Sequence, residues 1–207
     1  MAIKEPILSI FEEQTLKKSE DNRIEHVKFI NRSHDPILFK SVTFDSVIFE
    51  QIVFNDVVFV DCAFLDVVFE NCDLSNLDLN KMGFTRVIFR DSKLLGTSFT
   101  ESSFKDVLFI GVKTIYLNFS KATFNQVLFK SSILEETYFS EPIIKAVSFS
   151  ACDLTSSNFS KANLRGVDLS DSIIDLVSFD YESLRGLTID PFQAPMLVKL
   201  LGVKVKE

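Results

Sequence analysis

The chain has 207 residues, of which 46% are hydrophobic, and its 29 acidic and 22 basic residues give a formal net charge of −7. This length and apolar content suffice for one domain with a sizeable core, and only six glycines and five prolines argue against disordered linkers. No apolar run is long enough to span a membrane, and the N-terminus lacks the continuous apolar core of a signal peptide, so a cytoplasmic protein without membrane contact is expected.

Residues 1–24 precede the regular part of the sequence and are expected to cap its N-terminal end. Apolar residues are scattered there among charged ones, which favours a short amphipathic helix or an irregular cap. The apolar residues are Ile7, Leu8, Ile10, Phe11 and Leu16.

Residues 25–190 have a period of five. Every fifth position from Phe29 to Ile189 belongs to one register, and of these 33 positions 20 are Phe, eight are Leu and three are Ile, with His34 and Thr114 as the exceptions. A helix repeats its apolar face every 3.6 residues and a strand every two, so neither element explains the spacing. Small or medium residues lie two positions before each centre. The pattern predicts a chain that buries two residues in five and turns a corner at every repeat.

A second, longer period, in which the same residue type returns at every twentieth position, indicates that four repeats form one coil. Positions 27, 47, 67, 87, 107, 127, 147 and 167 are all Val, and positions 29, 49, 69, 89, 109, 129 and 149 are all Phe. The next face, which starts at position 34, prefers Leu. We predict a four-sided solenoid of about eight coils, stacked about 4.8 Å apart as strands are in a sheet, which makes a rod on the order of 40 Å long.

This repeat resembles that of the pentapeptide-repeat family, whose tandem A(D/N)LXX-like unit folds as a right-handed quadrilateral parallel β-helix. The stretches that carry the resemblance are CDLSNLDL at 72–79, CDLTSSNFSKANLRGVDLS at 152–170 and SLRGLTI at 183–189. The resemblance implies an all-β fold over residues 25–190. Val two positions before the centre, where the family more often has Ala or Cys, is a departure that leaves the register unaffected.

Two groups of outward-facing residues are candidate binding surfaces. The first is an apolar stripe, roughly 19 Å long at strand spacing, formed by the residues just before the centres of the Val/Phe face, and the N-terminal segment or another protein is expected to dock on it. Its members are Ile48, Val68, Ile88, Leu108 and Leu128. The second is an acidic belt between residues 41 and 80, where no basic residue occurs. The belt consists of Asp45, Glu50, Asp56, Asp61, Asp66, Glu70, Asp73 and Asp78.

After Ile189 the register stops, and residues 191–207 are predicted to form a turn and then a helix from about Gln193 to Leu201. Pro195 fits the first turn of this helix, and Gly202 fits the position after its last turn. The residues expected to cap the last coil or to join two subunits are Phe192, Met196, Leu197, Leu200 and Leu201.

This tail resembles that of the Qnr quinolone-resistance proteins and of the related mycobacterial gyrase inhibitor, in which the C-terminal helix joins two subunits about a two-fold axis. The resemblance implies a homodimer, and a helix that only caps a monomer is the alternative. The matching residues are Asp190, Gln193, Ala194, Leu197, Leu201, Gly202 and Val205.

The sequence offers no constellation for catalysis, for a cofactor or for a metal. Its two histidines lie near the N-terminus, and no H-x-x-x-H, G-x-S-x-G or C-x-x-C motif occurs. The three cysteines occupy the small inward position, which favours buried thiols over disulfides or metal ligands. They are Cys62, Cys72 and Cys152. A non-enzyme is therefore expected.

The Qnr resemblance implies a mimic of duplex DNA that binds DNA gyrase and topoisomerase IV and modulates quinolone sensitivity, without binding nucleic acid itself. Duplex DNA carries one charge per about 1.7 Å, far more than this chain, so the acidic belt acts either as a local patch or only to keep the rod soluble. Some Qnr members carry loops that contact the topoisomerase, and this register has no such insertion. An immunity protein against a topoisomerase-directed toxin would share this mechanism, and a non-catalytic scaffold for an unrelated partner is the alternative.

Overall fold

The computed structural model describes residues 2–9, 11–200 and 202–204. Parallel strands make up most of it, followed by one short helix. The elements are β1 (Glu12–Leu16), β2 (Arg23–Arg32), β3 (Ile37–Lys40), β4 (Thr43–Glu50), β5 (Val57–Val60), β6 (Ala63–Glu70), β7 (Gly83–Arg90), β8 (Ser103–Ile110), β9 (Lys113–Ile115), β10 (Thr123–Lys130), β11 (Ile133–Glu135), β12 (Ile143–Ser150), a 3-10 turn at Pro191–Gln193 and α1 (Ala194–Leu200).

The strands stack in coils of four repeats each. One sheet has the order β1-β2-β4-β6-β7-β8-β10-β12, and two smaller sheets pair β3 with β5 and β9 with β11. Within the large sheet Val47 pairs with Val67, and Val67 in turn with Val87. Isolated bridges extend the same offset to Asp168 and Thr188. The predicted fold class, a quadrilateral parallel β-helix with a short C-terminal helix, is confirmed.

A left-handed backbone conformation makes the corners. In the large sheet the long strands from β2 to β10 each bend at one residue whose φ is positive, for example 56° at Ser46, 55° at Asp66, 53° at Arg86 and 57° at Asp106. These residues lie two positions after a centre, where the sequence is mostly polar. Non-glycine residues adopt this conformation at a cost of roughly 1–2 kcal/mol, and the ladders of adjacent coils hold them there.

Phenylalanine rings fill the interior in columns that run along the axis. The ring centroids of Phe49 and Phe69 are 4.9 Å apart with their planes 11° from parallel, and Phe89 stacks on Phe69 at 4.9 Å. Rings on adjacent faces meet edge to face, as Phe89 and Phe99 do at 71°. Both are preferred geometries for aromatic pairs. The predicted stacking of centres that are one coil apart is confirmed.

Hydroxyl groups inside the coils, most of them at the small inward position, bond successive coils to each other, a role that sequence reasoning missed. Ser102 Oγ accepts a hydrogen bond from Met82 N at 3.0 Å and donates one to Leu79 O at 2.8 Å. Thr114, one of the two exceptions to the apolar register, is 1% exposed, and its Oγ1 donates to Leu94 O at 3.0 Å. These hydrogen bonds therefore offset the free-energy cost of burying the hydroxyl groups.

The last coil departs from the register at one position. The sequence register assigns the small inward position to Glu182, but Glu182 is exposed and Ser183 is 1% exposed in its place. The Ser183 hydroxyl donates to Phe159 O at 3.1 Å, as a residue at the inward position does. Burying the carboxylate of Glu182 without a partner would cost too much free energy, so the chain turns inward one residue later and buries Ser183 instead.

The described residues of the N-terminal segment, 2–9 and 11–24, contain no helix, so the amphipathic-helix alternative is wrong there. Residues 2–9 run outside the coils, and β1 pairs in parallel with β2. Leu16 at the end of β1 is 0% exposed and closes the core. A strand is favoured over a helix here because the first coil presents unpaired backbone groups, and the exposed Glu12 and Glu13 discourage pairing with another chain.

The C-terminal helix is close to the predicted one. It covers Ala194–Leu200, after a 3-10 turn that replaces the predicted start at Gln193. Gly202 follows with a φ of 76°, and its N–H donates to Lys199 O at 3.0 Å, as expected for the residue after the last turn. The predicted end of the helix at Leu201 lies outside the described residues.

Candidate binding surfaces

Cations from neighbouring coils neutralise most of the acidic belt. Five of its eight carboxylates form ion pairs, and three of the five partners lie one full coil further along the chain, directly above in the stack. The pairs are Asp45 with Arg23, Glu50 with Lys28, Asp66 with Arg86, Glu70 with Arg90 and Asp73 with Lys93. Sequence reasoning counted charge by segment and missed these pairs, although the coil period predicts three of them.

Asp66 in particular is not a surface residue. It is 4% exposed, and Arg86 Nε and Nη2 each donate to it at 2.6 Å. Burial by itself raises the pKa of Asp66, but the hydrogen bonds from Arg86 and from Ile7 N and the charge of Arg86 outweigh it, so the pKa lies below its ordinary value. Asp66 is therefore a charged structural group, unavailable to a partner while these contacts last.

The remaining belt carboxylates surround the face that contains β5. Asp56 and Asp61 flank β5, and Asp78 occupies the position of Val58 one coil further along the same face. All three are exposed, and none has an ion-pair partner among the described residues. We call these three residues the β5 acidic patch.

Exposed apolar side chains lie on the same face. Leu38 and Val58 pair across β3 and β5 and are 50% and 52% exposed. An apolar centre beside carboxylates is common at the surfaces that proteins use to bind one another.

The apolar stripe is covered. Val68, Ile88 and Leu108 are 5%, 4% and 8% exposed and form a cluster of their own, outside the main core. Ile3 of the N-terminal segment packs against them, and Ile48 and Leu128 are partly buried at the margins of the cluster. The structure thus places part of the N-terminal segment on the stripe.

The C-terminal residues divide into an anchored and an exposed group. Gln193 Nε2 donates to Leu169 O at 3.0 Å and to Ser172 O at 2.7 Å, and Asp190 caps the turn through Phe192 N at 2.8 Å. Met196 packs against the core and Leu197 is half-buried, whereas Phe192 is 94% and Leu200 46% exposed. Asp190 and Gln193 form a capping box, which the spacing D-x-x-Q indicates in the sequence but which the prediction did not use.

The cysteines are unreactive core residues. All three are buried as free thiols, and desolvation raises the pKa of Cys72 to about 12. Among the described residues no three His, Cys, Asp or Glu side chains form a metal-binding group. No helix in the described part of the chain is both long and apolar enough to cross a membrane.

Comparisons with known proteins give the following matches. Residues 62–139 match a family model described as a pentapeptide repeat region, and residues 132–171 match one described as eight copies of the pentapeptide repeat, so the two together cover just over half of the chain. No curated protein matches the chain significantly.

Solved structures of repeat proteins are similar over most of the chain. The full-length plasmid-mediated fluoroquinolone resistance protein QnrB1 is 18% identical, with 94% of this chain and 98% of that one covered and a TM-score of 0.44. A trypsin-treated form of QnrB1 is 22% identical, over 97% and 100% of the two chains, with a TM-score of 0.38. HetL of the cyanobacterium Nostoc, described as involved in heterocyst differentiation regulation, is 12% identical over 89% of each chain with a TM-score of 0.37.

Proposed function

The chain belongs to the pentapeptide-repeat family, and from that premise we propose that it acts without catalysis, as a dimeric rod that binds the DNA-binding surface of DNA gyrase or topoisomerase IV and modulates quinolone sensitivity. The rod shape of a stacked β-helix and the Qnr-like C-terminal tail support the proposal. The binding surface is the β5 acidic patch rather than the whole acidic belt, because ion pairs compensate the other carboxylates.

The observation on which this proposal rests is that the three unpaired carboxylates of the acidic belt all lie on, or at the edges of, the face that contains β5. Asp56, Asp61 and Asp78 are exposed and have no ion-pair partner among the described residues. A carboxylate paired with a cation contributes little field at a distance, while three unpaired carboxylates attract a cationic surface. Three charges match only a short stretch of duplex, which has about one charge per 1.7 Å, so the remaining affinity has to come from shape and apolar contact.

A gyrase supercoiling assay, with and without a quinolone and at two salt concentrations, tests the proposal. The informative variant is Asp56→Asn/Asp61→Asn/Asp78→Asn, and Asp45→Asn/Glu50→Gln/Glu70→Gln is its matched control because it removes the same nominal charge from paired positions. We expect the first variant to lose the effect of the wild-type protein and the control to keep most of it. A wild-type protein without effect at any concentration refutes the topoisomerase proposal, and equal losses in both variants refute the role of the patch.

The dimer uses the exposed residues of the C-terminal end. Phe192 and Leu200 project from a tail that Gln193 anchors to the last coils, and exposed side chains of this size are typical of an interface. Phe192→Asp should shift the protein from dimer to monomer in sedimentation equilibrium, while far-UV circular dichroism stays unchanged. A wild-type protein that is monomeric at high micromolar concentration supports a simple cap instead.

A scaffold for an unrelated protein is the second candidate, favoured by the exposed Leu38 and Val58 at the centre of the same face. Binding of this kind depends on apolar burial and only weakly on salt. The variant Leu38→Asn/Val58→Asn measures how much these two side chains contribute to binding, and the wild-type protein in the topoisomerase assay separates the two candidates. If it abolishes the topoisomerase effect while the acidic-patch variant keeps it, apolar contact dominates. If the wild-type protein leaves the topoisomerase unaffected, the scaffold proposal is the one that remains.

A further inference from the structure

One corner of the β-helix is buried where the other corners are exposed. The corner residues Ser46, Asp66 and Asp106 are 7%, 4% and 6% exposed, whereas Asp56 and Asp61, which hold the same position at other corners, are exposed. Charged residues are rarely buried unless they are paired or hydrogen-bonded. The buried polar side chains of this row need hydrogen-bond partners. The N-terminal segment, residues 2–9, supplies several of them, and we call this segment the strap.

The strap meets the row through its backbone. Ile7 N donates to Asp66 Oδ1 at 2.8 Å, and Lys4 N donates to Asp106 Oδ1 at 3.2 Å. Ser46 Oγ donates in turn to the carbonyl of Ile7 at 3.3 Å. The strap therefore runs against the order of the coils, since its earlier residue lies on the later coil.

The spacing of these bonds fits a peptide in the polyproline II conformation, in which amides three residues apart point the same way. Three residues of such a chain span about 9.3 Å, and two coils at strand spacing span about 9.6 Å, so the amides of Lys4 and Ile7 meet carboxylates that lie two coils apart. Arg86 lies between the two carboxylates in the row, and its Nε donates to Asp66 Oδ1, the oxygen that also accepts the hydrogen bond from Ile7 N, while its Nη2 donates to Oδ2. These hydrogen bonds require only free backbone N–H groups, so they select no particular side chain.

Side-chain selection comes from the apolar stripe. Ile3 is the strap residue that packs on Val68, Ile88 and Leu108. Ile7 and Leu8 point away and are 69% and 41% exposed. One aliphatic contact and a few hydrogen bonds hold the strap only weakly, as is typical of segments that open locally.

The groove extends beyond the bonds that the described strap makes. Gln126 occupies the next position of the same row, one coil after Asp106. Its Oε1 is buried and has no hydrogen-bond partner among the described residues. The row therefore continues with one further acceptor, which a ligand reaches only when the groups that cover Gln126 move aside.

We propose that this corner is a peptide-binding groove, that the strap is its resident ligand, and that an extended segment of a partner protein binds there when the strap leaves. The partner segment carries a branched aliphatic residue, as at Ile3, and free backbone N–H groups one and four residues after it, as at Lys4 and Ile7. Proline is excluded at those two positions because it has no N–H to donate. The mode is backbone recognition with one side-chain pocket. It is independent of the β5 acidic patch and of the topoisomerase proposal.

The first experiment measures whether Ile3 holds the strap in the full-length protein. We expect Ile3→Asn to speed hydrogen exchange at the amides of Lys4 and Ile7 at least tenfold by NMR. Ile7→Asn is the matched control, because it makes the same change at an outward-facing side chain, and it should leave the exchange of the Lys4 amide within about twofold. Ile3→Ala should act in the same direction as Ile3→Asn but less strongly. Unchanged exchange in Ile3→Asn overturns the proposal.

The second experiment measures binding of a fluorescently labelled synthetic peptide with the sequence of residues 1–9. Fluorescence anisotropy should show saturable binding to full-length Ile3→Asn, and at least tenfold weaker binding to the wild type and to Ile7→Asn, since a tethered strap competes at millimolar effective concentration. Adding Asp106→Ala to Ile3→Asn should weaken binding at least fivefold. Equal affinity for the wild type and Ile3→Asn, or no binding to Ile3→Asn once its strap exchanges freely, overturns the proposal.

Discussion

Truncation of Phe89 to alanine tests the ring columns at their centre. Phe89 is 0% exposed and lies between Phe69 at 4.9 Å and Phe109 at 4.8 Å, with planes 2° and 3° from parallel. Phe84 and Phe99 contact it from adjacent columns at 6.0 and 5.9 Å. Phe→Ala in a core costs about 3–5 kcal/mol, depending on how far the site can collapse.

The collapse is restricted here, which places Phe89→Ala near the upper end of that range. The strands on either side hold the coil spacing through a continuous parallel ladder, so neighbouring rings cannot close the gap. We expect a loss of about 4–5 kcal/mol in the free energy of unfolding. Phe29→Ala is the control, because Phe29 stacks on one ring only, Phe49 at 5.4 Å, and lies near an end that can relax; its expected cost is about 2–3 kcal/mol.

Urea unfolding followed by far-UV circular dichroism measures both variants, since the chain has no tryptophan. The m-value has to be compared as well, because a repeat array can unfold in parts and a lower m-value would reveal that. A Phe89→Ala cost below about 2 kcal/mol, or no larger than that of Phe29→Ala, refutes the reasoning: it would mean that the coils close over a missing ring.

Three further predictions concern titration, thiol access and the C-terminal cap. Because the pKa of Asp66 is lowered in the folded state, its contribution to stability is complete above the ordinary pKa of 3.8 and is lost as the pH falls through the lower pKa of the folded state. Asp66→Asn should therefore lose less free energy of unfolding than the wild type over that acid range. An equal loss of stability in the two proteins would contradict this. Because burial raises the pKa of Cys72 to about 12, a thiol reagent at pH 8 should label none of the three buried cysteines in the native protein and all three in urea, and labelling of the native protein would contradict their placement. Asp190→Ala removes the cap on Phe192 N and should destabilise the C-terminal turn by about 1 kcal/mol, visible as faster amide exchange in Ala194–Leu200; unchanged exchange there would show that Gln193 alone holds the tail.

The coil period contained more information than the sequence analysis used. Three belt carboxylates have a basic residue at the equivalent position of the next coil, and the structure pairs Asp66 with Arg86, Glu70 with Arg90 and Asp73 with Lys93. The same offset that stacks Phe49 on Phe69 brings these charges together. Treating the acidic belt as a run of consecutive residues, rather than as columns, left these ion pairs unpredicted.

The departure from the register at Ser183 and the start of α1 were not predictable from the period alone. The spacing assigns an inward position to Glu182, and only the cost of burying its charge moves Ser183 into that place. The repeat shows which residue types are preferred at each position. It does not show which neighbouring residue is buried instead when the residue at the inward position is charged.

The sequence by itself determined the coil, because neither a helix nor a regular strand can bury two residues in every five. The backbone therefore has to turn a corner at each repeat. It also determined which side chains stack, since a fixed coil length converts a constant sequence offset into contact along the axis. Only the tertiary structure decided which atoms hold the two ends of the chain in place. Ile7 N donates a hydrogen bond to Asp66, and Gln193 donates one to the carbonyl of Leu169. Neither contact follows from the period, because both segments lie outside the repeat. Each segment binds polar groups that the folded coils leave able to accept a further hydrogen bond.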